Sequence, residues 1–171
     1  CAAAAALVPP APAPRTGLKS MFKLSRKVLF AIEAVVDIAY HSGGQPVQSK
    51  EITRRQGIPR RYLEQVLQHL VRAEILVGVR GPRGGYNLAR ERRRVSAGEI
   101  IRVVRALETA SDPLDTEDSS ELAEAVIRPL WGELQDEVMT RLDLISVDDL
   151  CNRAHAQGVE SEGRQYLDFS I

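Results

Sequence analysis

Apolar residues recur at spacings of three and four along several stretches of the chain, and each stretch predicts a helix. From Ser25 to about Tyr40 the stripe is Val28, Leu29, Ile32, Val35, Val36 and Ala39. Ser25 is placed to cap that helix, and His-Ser-Gly-Gly at 41–44 to end it. Ser49 is placed to cap a short helix through Gln56, which Gly57 breaks. Pro59 sits where a first helical turn tolerates proline, and Tyr62, Leu63, Val66, Leu67 and Leu70 carry a longer helix to about Ala73. Two helices joined by a glycine turn, the second opening on Arg60 and Arg61, form a candidate helix-turn-helix.

The pattern then changes period. Ile75 to Val79 is a β-branched run, Tyr86-Asn-Leu is a second short strand, and Arg80-Gly-Pro-Arg-Gly-Gly lies between them. A hairpin directly after a helix-turn-helix is the wing of a winged helix. Its glycines let the backbone approach a duplex closely, and an arginine at its tip suits the negative minor groove. The turn lacks the Gly-Lys-Ser/Thr and the strand-to-helix setting of a nucleotide-binding loop, which excludes that use.

Ser96-Ala-Gly-Glu99 is a capping box opening a helix to about Leu107, and an acidic Ser- and Asp-rich loop follows from Glu108 to Ser120. A long helix is expected from Glu121 to about Leu144, with Leu122, Ala125, Val126, Leu130, Leu134, Val138, Leu142 and Ile145 at helical spacing. Pro129 should kink it or divide it. The earlier helices already make one core, so this stripe is read as a dimer seam; packing within its own chain is the alternative. Ser146-Val-Asp-Asp149 caps a last helix to about Ala154, and a flexible end is expected from Gln157. The fold class is mainly α with a small β-wing, a winged helix-turn-helix plus a long C-terminal dimerisation helix. The expected organisation is a disordered extension at 1–20, a DNA-binding domain at 21–107, the acidic loop and dimerisation helix at 108–156, and a flexible tail at 157–171.

Composition sharpens this reading. A chain of 171 residues, 44% hydrophobic and 27% charged, buries one real core as a soluble globular protein. No window approaches a membrane-spanning length. The formal net charge of zero hides an asymmetry. Residues 21–105 hold seventeen Lys and Arg against seven Asp and Glu, whereas residues 106–171 hold four against sixteen. A basic half joined to an acidic half suggests a polyanion-binding module, two oppositely charged solvated faces being the bland alternative. The cysteines are Cys1 and Cys151, which excludes a disulfide framework and a Cys-rich zinc site, and a reducing cytoplasm fits. The Ala- and Pro-rich first twenty residues have no periodicity; Cys1 resembles a mature lipoprotein terminus, but Met21 is read as the natural start. No carboxylate pair, Ser/His/Asp set or Cys/His pair stands in a local signature, so no catalytic residue is assigned and the chain is not read as an enzyme.

Met21-Phe-Lys-Leu-Ser25, Glu51-Ile52 with Gln56-Gly-Ile58, Tyr62-Leu-Glu-Gln65 and Val79-Arg-Gly-Pro-Arg-Gly-Gly-Tyr86, with Ser96-Ala-Gly-Glu-Ile100 and Trp131-Gly-Glu-Leu134, resemble the Rrf2 superfamily of regulators. Its members include iron–sulfur, nitric-oxide and cysteine-metabolism regulators of the IscR, NsrR and CymR types. The resemblance implies a cytoplasmic homodimer with a crossed long helix, binding double-stranded DNA at a palindromic operator as a transcription regulator, with repression the expected sense. Carried over residue by residue, it implies that the helix bearing Tyr62, Glu64 and Gln65 enters the major groove, with Arg60 and Arg61 at its start. Glutamate can accept from a cytosine amino group and glutamine can pair with adenine, while Tyr62 is assigned to packing and to a phosphate. Arg80 matches the minor-groove arginine, and Arg83 stands where glycine is frequent, adding a contact. Ser25, Arg26, Lys27 and Ser49 are expected phosphate anchors; Arg92-Arg-Arg94 is either solvated surface or a further contact. The expected dimer interface is Leu122, Val126, Leu130, Trp131, Leu134, Val138 and Leu142.

The sequence departs from cluster-binding members, which carry three cysteines in the loop before the dimer helix. Residues 108–128 contain none, so no metal and no cofactor is assigned. His41, His69 and His155 are scattered, and Cys151 is a lone thiol, with a redox switch across the dimer as its alternative role. In character the chain is nearest the cluster-free CymR-type regulators, which work with cysteine synthase. The end Tyr166-Leu-Asp-Phe-Ser-Ile171 resembles the peptide by which serine acetyltransferase docks into cysteine synthase. Phe169 and Ile171 are therefore the expected contacts to that partner, in control of cysteine metabolism; a tail folding back on its own dimer is the alternative. An adaptor or inhibitor of cysteine synthase, and a redox- or metal-responsive regulator with atypical ligands, are the other readings left open.

Overall fold

The computed structural model describes residues 25–106 and 120–163. The expectations for 1–20, for most of the acidic loop and for 164–171 lie outside these residues.

Helix α1 (Arg26–His41) is the centre of the core. Ser25 caps it, its hydroxyl accepting from the Val28 N–H at 3.2 Å. Its buried stripe of Val28, Ala31, Ala34, Val35 and Ile38 receives α3, α4 and α6. The reading of Ser49 as a cap is corrected: Ser49 is the first residue of α2 (Ser49–Gln56), and the residue before it, Gln48, is the cap. The Glu51 carboxylate accepts from the Gln48 N–H at 3.0 Å, which a serine cap would have placed one residue later. Gly57 ends α2 in the left-handed conformation, and α3 (Arg60–Arg72) buries Leu63, Val66, Leu67 and Leu70. Helix α3 closes in a Schellman turn, the N–H groups of Glu74 and Ile75 donating to the carbonyls of Val71 and Leu70. Glu74 holds the left-handed position usually given to glycine, at φ 55°.

Strands β1 (Leu76–Val79) and β2 (Gly85–Leu88) pair antiparallel, with Leu76 opposite Leu88 and Val79 opposite Gly85. A 3₁₀ turn at Arg92–Arg94 leads to α4 (Ala97–Arg105), opened by the expected Ser96–Glu99 capping box. Residues 95–97 and 145–147 are stitched antiparallel, the Ala97 N–H donating to the Ile145 carbonyl and the Val147 N–H to the Val95 carbonyl, each at 2.8 Å. This fixes the start of α6 (Val147–Ala156) beside the start of α4.

The expected break at Pro129 takes a particular form. A π-helical segment, Ala123–Ile127, runs directly into α5 (Arg128–Asp143), with the Arg128 N–H donating to the Ala123 carbonyl. Proline lacks an N–H and crowds the carbonyl four residues back; the wider turn just before it accommodates both faults without breaking the rod. No residue of α5 is buried. One named seam residue is corrected here: Leu142, with Met139, packs on the chain's own core, because α5 meets α4 at its C-terminal end.

The chain also ends differently from expectation. Residues 159–163 dock on α1 and α2, where the apolar pattern predicts only a flexible end. Tyr40 Oη donates to the Val159 carbonyl and Ser161 Oγ to the Tyr40 carbonyl, each at 2.6 Å. The Glu162 N–H donates to His41 Nδ1 at 3.1 Å, and its carboxylate pairs with Arg54 and Arg55. A Cβ on Gly43 would lie 2.4 Å from the Gly163 carbonyl oxygen, so the two backbones touch. Polar pairing holds this segment, and polar pairing leaves no periodic trace.

Beneath it lies an ion pair in the core. Asp37, whose side chain is 0% exposed, accepts from Arg55 Nε at 2.9 Å, Arg55 Nη2 at 2.7 Å and Gln56 Nε2 at 2.8 Å. The fork of the guanidinium matches the carboxylate and ties α2 to α1.

Candidate nucleic-acid interface

Two contacts assemble the reading surface. Phe30 meets Tyr62 edge to face with ring centroids 5.7 Å apart, bringing the first turns of α1 and α3 together. Val47 bridges Tyr86, the two exchanging backbone hydrogen bonds of 3.0 and 2.8 Å, so the start of α2 lies beside the wing. A Cβ on Gly85 would stand 2.4 Å from the Val47 carbonyl oxygen, which is why glycine begins β2. The openings of α1, α2 and α3 and the wing are thereby joined in one continuous structure.

On α3, Arg60, Arg61 and Gln65 are exposed and Tyr62 and Glu64 are half-buried. Tyr62 spends its ring on Phe30, in line with the packing role assigned to it. Arg60 Nε donates to Glu64 Oε1 at 2.8 Å, one helical turn on. The side chains of this pair are 74% and 45% exposed, so the contact is weak. It must open or be shared if Glu64 is to accept from a base.

The wing tip is a tight turn. The Gly84 N–H donates to the Gly81 carbonyl at 2.9 Å, with Pro82 and Arg83 as the two central residues. Proline pre-sets the first of these, and Arg83 keeps a negative φ, as a type I turn requires. Gly84 has no alternative, since a Cβ there would be 2.3 Å from the Val79 carbonyl oxygen. Arg80 and Arg83 stand exposed on this loop.

Charge follows the same elements. Among the described residues, Arg26 and Lys27 on α1, Lys50 on α2, Arg61 on α3, and Arg80 and Arg83 on the wing have no carboxylate within ion-pair distance. Lys50 is a member that sequence reasoning missed; its place in the first turn of α2, next to Ser49, was the available signal. Ser25 caps α1, and Ser49 stands half-buried at the opening of α2. Arg92 and Arg93, by contrast, face Asp148, at 2.8 and 3.8 Å. They belong to the contact between the 3₁₀ turn and α6.

The residues expected at a dimer seam separate into groups. Leu122, Val126, Leu130, Leu134 and Val138 are 36–65% exposed along one edge of the π segment and α5, and Trp131 is half-buried. Phe169 and Ile171 lie outside the described residues. Cys151 is buried, and burial pushes its thiol above the usual range, although the nearby Arg92 guanidinium pulls the other way. A thiol held protonated in this way is a poor nucleophile. Among the described residues no helix is long and apolar enough to cross a membrane.

A family model, Rrf2, described as an iron-dependent transcriptional regulator, matches residues 24–153. The helix-turn-helix-type transcriptional regulator IscR of Vibrio vulnificus is 31% identical over 149 residues, covering 87% of this chain and 88% of that protein. IscR of Sodalis glossinidius is 34% identical over 128 residues, covering 75% and 78%. Among solved structures, CymR, the global cysteine regulator of B. subtilis, has a TM-score of 0.62 at 31% identity, covering 78% of this chain and 98% of that one. T. potens IscR has a TM-score of 0.64 at 34% identity, covering 85% and 96%.

Proposed function

The chain belongs to the Rrf2 family of transcriptional regulators, and from that premise we propose that it represses transcription in the cytoplasm as a homodimer on a palindromic operator. One observation carries this reading: six cations with no carboxylate within ion-pair distance among the described residues, Arg26, Lys27, Lys50, Arg61, Arg80 and Arg83, gather at the openings of the three helices and on the wing, the positions from which a winged helix meets a duplex. Arg61 and Gln65 of α3 read the major groove. Arg80 and Arg83 flank the narrow groove from the wing, and Arg26, Lys27 and Lys50 fix register on phosphates.

Leu122, Val126, Leu130, Leu134 and Val138 follow one another at steps of four. Ridges of this kind interdigitate with their own copy at a crossing near −50°. The acidic residues of α5 and α6 then stand away from the DNA, where their charge does not oppose binding.

Electrophoretic mobility shifts over a salt series test the DNA role. Affinity should fall by about a thousandfold or more between 50 and 200 mM salt for a dimer making six to ten phosphate contacts. Arg80→Ala should cost about 1–3 kcal/mol and relax preference at the base pairs under the wing, whereas Lys27→Ala should weaken all sequences alike. An Arg80→Ala protein with unchanged affinity and preference contradicts the role assigned to the wing.

The family description is iron-dependent, but the donor set does not fit an iron–sulfur cluster. The two cysteines are Cys1 and Cys151, and among the described residues no three metal-ligating side chains gather. The likeness to CymR supports control of cysteine metabolism instead, with cysteine synthase as co-regulator through Phe169 and Ile171. Deleting Ile171 should abolish binding to cysteine synthase by calorimetry. Equal affinity of the full and shortened chains, or no binding by either, removes that partner and leaves the DNA role intact.

A further inference from the structure

A cleft of about 600 Å³ lies where the end of α1, strand β2 of the wing and the docked segment at 161–163 converge. Its size is that of a small-molecule site. Ala39 and Leu88, both half-buried, give it an apolar wall. Ser42 and Asn87 line it with side chains that have no hydrogen-bond partner among the described residues, so both can bond to a guest. Arg92 is the one ionisable group of the lining with a fixed charge, and no carboxylate lines the cleft. Asp148 holds Arg92 through Nε, leaving 51% of the side chain exposed.

We propose that this cleft binds a small organic monocarboxylate, its carboxylate on Arg92 and Asn87 and its apolar body against Ala39 and Leu88. A single guanidinium beside an apolar wall suits a monoanion with a hydrocarbon part. A phosphate would call for several cations or a ring of backbone N–H groups. Asn87 and Leu88 belong to the wing strand and Ser161 to the docked segment, so a guest touches the DNA-reading hairpin and the end of the chain at once. As an effector site the cleft rests on the reading of the chain as a DNA-binding regulator; as a binding site it does not.

The test is calorimetry on the full chain without DNA, using isovalerate and phenylacetate, their amides, and inorganic phosphate. At least one carboxylate should bind saturably, and its amide at least tenfold more weakly. Arg92→Gln should abolish binding and Arg92→Lys should retain part of it. Asn87→Ala should weaken binding severalfold while the unliganded melting curve stays put. Binding by neither carboxylate, equal binding of amide or phosphate, or unchanged binding by Arg92→Gln would overturn the proposal. Operator affinity with and without the bound carboxylate is then measured separately. Carboxylate binding by a protein that recognises no DNA would keep the site and sink the regulator reading, and the reverse result would do the opposite.

Discussion

Replacing Asp37 by alanine is expected to destabilise the fold by about 3–5 kcal/mol, because it leaves a largely buried charge without its partner. The Arg55 side chain is 11% exposed and would keep only Glu162, itself 40% exposed. Gln56 Nε2 would lose its acceptor at the same time. A loss of this size is a large part of the 5–15 kcal/mol by which domains are typically stable. Urea unfolding should show the midpoint falling with little change in slope. The double variant Asp37→Ala, Arg55→Met should recover most of the loss, since removing both charges leaves none uncompensated. A single variant within about 1 kcal/mol of the parent would mean that water reaches this pair, and that it does not tie α2 to α1.

The second large effect concerns assembly. Leu130 and Leu134 are 51% and 36% exposed, in the middle of a ridge with no buried residue among those described. Burying an exposed side chain of this kind fully contributes about 1.5–3 kcal/mol, of which roughly half is still to be gained at each of these positions, once for each copy. Aspartate at both positions should give a monomer by sedimentation while circular dichroism stays helical. Each half-site would then be bound singly, and operator affinity should fall by roughly 10² to 10⁴ as the advantage of linkage is lost. A parent protein that sediments as a monomer, or a double variant that remains dimeric, places the interface elsewhere.

Much of this architecture was legible in the sequence, because it rests on periodicity and punctuation. The Leu63–Leu70 spacing, the Ser96 and Ser146 boxes and the Gly81–Gly85 turn each encode local geometry directly. In α1 the expected stripe is only partly right: Val28 and Val35 are buried, but Leu29 is exposed and Ala31, Ala34 and Ile38 complete the buried face. Other features depend on pairing at a distance. Asp37 interrupts an apolar stripe, but nothing local says that Arg55 will meet it. Ser161 and Glu162 read as a polar end until the α1–α2 loop is in place to receive them. Pro129 announced a disturbance without its form, since kink, break and π turn all satisfy a missing N–H. Leu142 keeps the period of the seam; only the crossing of α5 over α4 assigns it to the core. The side chains proposed to face DNA lie between these cases. Their elements were evident, whereas the Arg60–Glu64 pair and the place of Lys50 among the unpaired cations appear only in three dimensions.

A dimer with one recognition helix and one wing in each copy should read a two-part DNA site. The most direct test is to select bound fragments from its genomic DNA with the purified full chain and footprint the strongest of them. Two inverted protected segments are expected, centred about one helical turn or a multiple of it apart. Cleavage protection in the adjoining narrow groove should disappear with Arg80→Ala. A single undivided footprint, or fragments retained with no shared sequence, would contradict this mode of binding.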